Sequence, residues 1–244
     1  MDTAQTIRQA VADVERLREE SRSEAAIAAG VSSVKRFQAR RFAGTYADLL
    51  ASRAYAPAAR FFLDELYSDK DYAERDAQFA RIAHAVEKLF PRDVAQTAAN
   101  LARLHALTES LDHAMARTGV MKDVVDVSGY VQAWKLVDRG ADRQAQLDAV
   151  VALGAEMTRL TRTPGLRLML KMMRAPAAAA GLSSLQRFLE AGFDTFAGVA
   201  RQRGGAEQFL ATIHERERRL MELLFEADAV ACETELRTIL GQAR

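Results

Sequence analysis

The sequence predicts an all-α fold, a single compact bundle of roughly nine to eleven helices with no sheet. Three observations carry that reading. Alanine, the strongest helix former, supplies 47 of the 244 residues, against 4 prolines and 13 glycines. Apolar residues recur at the helical period through almost the whole chain. No run of alternating β-branched residues marks a strand.

Each element has its own signals. Ile7, Val11, Val14 and Leu17 share one face of a helix from Thr3 to about Ala29, and Gly30 suits its stop. A second helix starts at Ser32 or Ser33 and runs to about Arg53. Pro57 suits the first turn of a third, to Tyr67, carrying Phe61, Phe62, Leu63 and Leu66. Ser68-Asp69-Lys70-Asp71 reads as a turn, with Asp71 able to cap the next helix. From Tyr72 to Phe90, residues Phe79, Ile82, Ala83, Val86, Leu89 and Phe90 form one stripe, which Pro91 ends. The next helix, about Asp93 to Thr118, uses Val94, Leu101, Leu104, Leu111 and Met115, and Gly119 stops it. A short helix near Tyr130 to Asp138 holds the single tryptophan, Trp134; Gly140 stops it and Asp142 caps another to about Thr161. Pro164 opens a short Leu/Met helix to Arg174, and Ala175 to Gly181 reads as a loop or loose turn. Ser183 with Gln186 reads as a capping box for a helix to about Val199. Helices at about Ala206 to Glu226 and Ala229 to Leu240 complete the chain.

Residues 1–30 are expected as an N-terminal helix and 31–244 as a helical core domain, with possible halves 31–119 and 141–244. The net charge of +1 speaks against a strongly basic nucleic-acid binder. Cys232 is alone, so no internal disulfide forms. Met1 to Glu20 has charges throughout and no apolar core of a signal peptide, and no segment is long enough to span a membrane. A cytoplasmic location is expected.

Few motifs carry chemistry. Ala25 to Ser32 is similar to the turn of helix-turn-helix regulators. The cations after it, Lys35, Arg36, Arg40 and Arg41, scatter around the helix. His105, Glu109 and His113 are spaced at i, i+4, i+8, read here as an exposed trio. A haem or metal ligand would fall to His105 or His214. Glu-x-x-His pairs, glycine-rich phosphate loops and nucleophile elbows are missing from the sequence. Arg75 and Glu217 fall on apolar stripes, so each is expected to be largely buried against opposite charge or donors, or to line a pocket. Arg167, Lys171 and Arg174 form a basic stripe beside Met169, Met172 and Met173, the pattern of a partner-facing or membrane-facing helix. Gly192 on the face of Leu185, Leu189 and Phe196 suggests a close helix crossing.

Three longer strings resemble an uncharacterised family of helical bacterial proteins. They are Thr45-Tyr46-Ala47-Asp48-Leu49-Leu50, then Phe61-Phe62-Leu63-Asp64-Glu65-Leu66-Tyr67, then Asp71 with Arg75-Asp76. Arg174-Ala175-Pro176, Leu185-Gln186, Phe188-Leu189-Glu190 and Arg216-Glu217 fit the same pattern. The resemblance covers about Val34 to Phe225. It implies one helical fold and a bacterial source, carries over no catalytic residue, and puts Thr45 to Asp48 inside one continuous helix.

The expected function is a non-catalytic helical binding module for a protein partner or an apolar small molecule. Two alternatives stand beside it: a haem- or metal-binding protein or enzyme using His105 or His214, and a DNA-binding regulator reading through 25–41. No cofactor is implied. Nucleic acid is not the expected partner; peripheral membrane contact and a homodimer through the Ile7 to Leu17 seam are compatible with the pattern.

Overall fold

A computed structural model describes residues 2–65, 70, 72–121 and 126–243. Among the described residues the fold is all-α, with no strand. The helices are α1 (Thr3–Ser23), α2 (Ala25–Thr45), α3 (Ala47–Ala51), α4 (Ala56–Glu65), α5 (Ala73–Leu89), α6 (Arg92–Arg117), α7 (Val127–Val137), α8 (Gly140–Leu160), α9 (Leu166–Met172), α10 (Arg174–Ala179), α11 (Ser183–Ala200), α12 (Gly205–Glu226) and α13 (Ala229–Gln242). The count among the described residues is thirteen rather than nine to eleven. Two short helices account for the excess. Tyr46 separates α3 from α2, and Ala175 to Gly181, expected as a loop, winds mostly into α10. None of the described helices is long and apolar enough to cross a membrane.

The chain divides into two compact units. The first contains Met1–Glu15, Lys70–Ala106 and Ala149–Leu210; the second contains Arg16–Asp69, Leu107–Asp148 and Ala211–Arg244. In the first, Ala4, Ile7 and Ala10 of α1 meet Phe79 and Ala83 of α5, Ala99 and Ala102 of α6, and Leu185 of α11. Small residues at most of these contacts let helix axes approach closely. A second cluster joins Leu160, Leu166 and Phe193, with Met157, Met169 and Leu170 against it. The start of α1 is held from α5: Glu87 Oε1 accepts the Thr3 and Ala4 amides at 3.0 and 3.4 Å. Those are amides no helix can satisfy internally.

The second unit packs Val34 and Phe37 of α2, Met115 of α6, Tyr130, Val131 and Trp134 of α7, Leu220 and Leu224 of α12, and Cys232 and Leu236 of α13. Phe37 stacks on Tyr130 with ring centroids 4.1 Å apart. Fully burying one such side chain contributes roughly 1.5–3 kcal/mol. Helix α13 lies along α2. They approach closely at Gly44, where an added Cβ would stand 2.0 Å from the Ile239 carbonyl oxygen.

Several local expectations are corrected. Gly30 does not stop a helix; α1 ends at Ser23, and Gly30 is buried within α2, close to Ala116. Ala25 to Thr45 is one uninterrupted helix, so the two-helix reading head that the DNA-binding alternative needs at 25–41 is not formed. The Ala-Gly-Val-Ser string is helical because close packing, not a turn, uses its small residues. Of the Ile7 to Leu17 seam, Ile7, Val11 and Val14 are buried within the chain itself and Leu17 is half-buried. Leu89 is 76% exposed, because the α5 stripe ends one turn before Pro91. Ser183 makes no cap: Gln78 Oε1, from α5, accepts the Leu185 amide at 2.9 Å, and the Gln186 amide group donates instead to Leu170 O at 2.6 Å. Asp142 pairs with Arg139 at 2.6 Å in the first turn of a helix that already begins at Gly140. The expected cap Asp71, the end of the third helix beyond Glu65 and all of the adjoining turn but Lys70 lie outside the described residues.

Gly44→Ala tests the α2–α13 crossing. The obstacle is backbone, which cannot rotate away, so the helices must separate. A loss of about 1–3 kcal/mol is expected in urea unfolding, and no loss contradicts the contact.

Candidate functional site

Three places concentrate functional groups: a carboxylate centre in the first unit, a buried polar layer in the second, and the outer face of α9 and α10.

The first centre is Asp76, near the start of α5 and 4% exposed. His105 of α6 places Nε2 2.9 Å from its Oδ2. Arg75 places Nε 3.9 Å from its Oδ1. The Arg75 guanidinium lies between two rings, 3.9 Å from the Tyr72 centroid and 4.4 Å from Phe188. Stacking of this kind contributes roughly 0.5–2 kcal/mol and lets a cation be buried without a full set of acceptors. Two residues singled out in the sequence, Arg75 and His105, therefore converge on a third that entered only within a family segment. A carboxylate in this position orients an imidazole and sets which ring nitrogen carries a proton.

The second centre begins with spacing. Lys35, Gln38 and Arg41 fall at i, i+3 and i+6 on α2, one polar row that three partners answer. Lys35 Nζ lies 2.6 Å from Glu109 Oε1. Gln38 Nε2 donates to Asp112 Oδ1 at 2.8 Å. Arg41 Nη1 donates to Glu217 Oε1, which also accepts from the Tyr46 hydroxyl at 2.8 Å. Beside them the buried Arg143 lies 4.3 Å over the Trp134 ring and donates to Gln146 Oε1 at 3.2 Å. Glu217, expected on an apolar stripe, thus has its carboxylate taken up by Arg41 and Tyr46, while Arg75 meets Asp76 and its two rings.

Electrostatics in this layer are decided by burial. It pushes the Asp112 carboxyl up from 3.8 to about 6, outweighing the pull of Lys35 and Arg143, with Glu109 acting in the same direction as burial. Burial likewise raises the Tyr130 phenol. It lowers His113, against the Glu20 carboxylate 3.7 Å away.

The trio expected at the surface is corrected. Glu109 and His113 are buried, at 9% and 5% exposure, and His105 is half-buried on Asp76. The apolar stripe of α6 marks only one of its covered sides; the other is covered by polar partners and leaves no apolar signal. Of the remaining histidines, His84 is exposed, and half-buried His214 makes no hydrogen bond or ion pair among the described residues. No group of three His, Cys, Asp or Glu side chains among the described residues is arranged to hold a metal ion. Gln38, Asp112, Trp134 and Arg143 escaped sequence reasoning. For Gln38 and Asp112 the signal was the matched i, i+3 spacing of Lys35/Gln38 and Glu109/Asp112, legible only once α2 and α6 are known to touch.

The third place is built differently. Leu166, Met169 and Leu170 turn the inner side of α9 onto the first unit. Arg167 pairs with Asp194 at 2.8 Å, and Arg174 donates through Nε to both Glu190 oxygens at 2.7 and 2.8 Å. These ties fix α9 and the start of α10 to α11 and leave Leu168, Met172 and Met173 pointing outward at 63%, 69% and 36% exposure. Helix α10 ends in a Schellman turn. Gly181 sits at φ +66°, the Leu182 amide reaches Ala177 O at 2.8 Å, and the Gly181 amide reaches Ala178 O at 3.1 Å. Arg81 adds bonds to Ala180 O and Gly181 O at 2.7 and 2.9 Å.

A family model described as a domain of unknown function, DUF8198, matches residues 17–231. The chain belongs to the DUF8198 family. No curated protein and no solved structure matches it. Membership in DUF8198 agrees with the resemblance to an uncharacterised family, and it assigns no role to Asp76, Asp112 or the α9–α10 face.

Two measurements test the polar layer. Glu217→Leu leaves Arg41 buried at 5% exposure without that carboxylate, so a loss of about 3–5 kcal/mol is expected in chemical unfolding. A neutral or stabilising result would show that the pair does not hold the layer. Asp112 binds its proton more tightly in the folded chain than in the unfolded one. Its stabilisation is full below about pH 4 and is lost as pH rises through about 6. His113 works the other way, with stability present above its ordinary 6.5 and lost on acidification. Asp112→Asn keeps the uncharged form, so at pH 7 it is expected to gain on the order of 2 kcal/mol, a gain that disappears by about pH 4. Subtracting the wild-type profile cancels His113, and a pH-independent difference contradicts the assignment.

Proposed function

We propose that this chain is a non-catalytic binding module that docks through the outer face of α9 and α10. The observation that carries the reading is the exposure of Leu168, Met172 and Met173 on a stretch held at both ends by ion pairs, Arg167 with Asp194 and Arg174 with Glu190. Among the described residues, three of the six large apolar side chains that are exposed lie within this one short stretch. Such grouping marks interaction surfaces, whereas singly scattered apolar residues do not. Met is suited to this use, because its unbranched thioether adapts to an irregular partner. The buried polar layer supports the same view: its polar groups are taken up by one another, as Lys35 by Glu109, Gln38 by Asp112 and Arg41 by Glu217, and serve packing. The Asp76 carboxylate is shared between His105 and Arg75, an arrangement that supports orientation more than turnover.

A photo-crosslinking amino acid at Leu168, compared with one at Val230 on α13 (74% exposed), tests the reading in living cells. A crosslinked product, to protein or to lipid, is expected from position 168, absent from position 230 and lost with Met172→Glu. Equal, unselective products from both positions overturn it.

A further inference from the structure

The outer face of α9 and α10 shows more than that it docks. All but three of residues 167–181 are exposed, the exceptions being Met169, Leu170 and Ala177. The stretch therefore stands out as a ridge of Leu168, Met172, Met173, Ala175, Pro176 and Ala178. A ridge fits a plane or another molecule's groove. It carries no Trp, Tyr or Phe, the residues that anchor protein–protein contacts.

The charge beside it is net positive. Arg167, Lys171 and Arg174 run along one edge, at i, i+4 and i+7. On α11, Arg187, Glu190 and Asp194 share a face at i, i+3 and i+7, the face that holds Arg167 and Arg174. Glu190 stays ionised well below neutral pH, held down to about 2 by Arg174. Four cations stand against two carboxylates, and among the described residues Lys171 and Arg187 form no ion pair. The edge is thus left with a net charge of +2. At the helical period, Leu168 and Met172 lie next to the cation row and away from the buried Leu166. An apolar row beside a cationic row on a surface helix is the arrangement that lies at a bilayer interface, apolar side chains among the acyl chains and cations at the phosphates.

We propose that the α9–α10 ridge binds an anionic membrane surface, with Leu168, Met172 and Met173 entering the interface and Lys171, Arg187 and the paired arginines facing the lipid phosphates. The proposal rests on the docking reading above and names its occupant. The contact is peripheral and reversible, because the apolar side chains are few and the helix is short. Asp194 and Glu190 have a definite part: they splay Arg167 and Arg174 to one side, so the apolar row is not covered by their stems.

Flotation with vesicles of phosphatidylcholine, with and without phosphatidylglycerol, tests it on the full chain. Cys232 is fully buried and burial raises its thiol, so a cysteine introduced at Leu168 takes an environment-sensitive label selectively. Flotation with the anionic vesicles alone is expected, weakening with salt, together with a blue shift of a label at 168 and none of a label at 230. Lys171→Glu is expected to weaken binding roughly tenfold or more, and it lies at an exposed position where folding is not at risk. Leu168→Glu with Met172→Glu is expected to abolish it. No flotation with either vesicle overturns the proposal. So does flotation that leaves the label at 168 unshifted, or binding that Lys171→Glu does not weaken. A protein crosslinked at 168 without vesicle binding overturns the membrane occupant while leaving the docking reading standing; unselective crosslinks at both positions remove the docking reading itself.

Discussion

A charge taken out of water must be met by another charge or by donors, and the second unit is organised by that requirement. Arg41 on α2 meets Glu217 on α12, with the Tyr46 hydroxyl adding a second donor to the same oxygen. Lys35 and Gln38 extend the same row to Glu109 and Asp112 on α6. Aliphatic packing tolerates sliding, because one methyl group replaces another at little cost. A row of three polar contacts at fixed spacing does not, since a shift of one turn would strand every member at once. The apolar cluster around Phe37, Tyr130 and Leu224 supplies the driving force, and the polar row sets the register between α2 and its neighbours.

The same requirement explains how Asp112 differs from Glu217. Glu217 keeps an arginine and a hydroxyl. Asp112 has a neutral amide as its hydrogen-bond partner, with Lys35 committed to Glu109. Cations close by but engaged elsewhere do not offset full burial, so the proton is held more tightly. Next to it, His113 is kept from charging by the same burial. Adjacent residues on α6 thus titrate against each other's trend.

The α9–α10 ridge obeys a different logic. Its ion pairs are exposed and of small energetic weight singly. Their role is geometric, holding side chains aside rather than stabilising a core. The Schellman turn at Gly181 and the bonds from Arg81 stop the ridge from unwinding where it has little packing beneath it.

Element type was legible in the sequence because it depends on local repetition. The stripe of Phe79, Ala83 and Val86 made α5, and α13 begins at Ala229 as expected, capped by Asp228, which accepts the Ala231 amide at 2.9 Å. The outward basic stripe of α9 was legible for the same reason. Gly30, Ser183 and His113 were not, since each depends on a partner distant in the chain: Ala116 close to Gly30, Gln78 in place of a side-chain cap, and a second covered side of α6. A polar residue reads as solvent-facing until its partner is known. The sequence alone determined that the chain is helical and where most helices run, because those depend on neighbours three and four residues away. Only the tertiary structure decided which polar residues are buried and with whom, because Lys35 and Glu109, or Arg41 and Glu217, meet across long separations that no local pattern encodes.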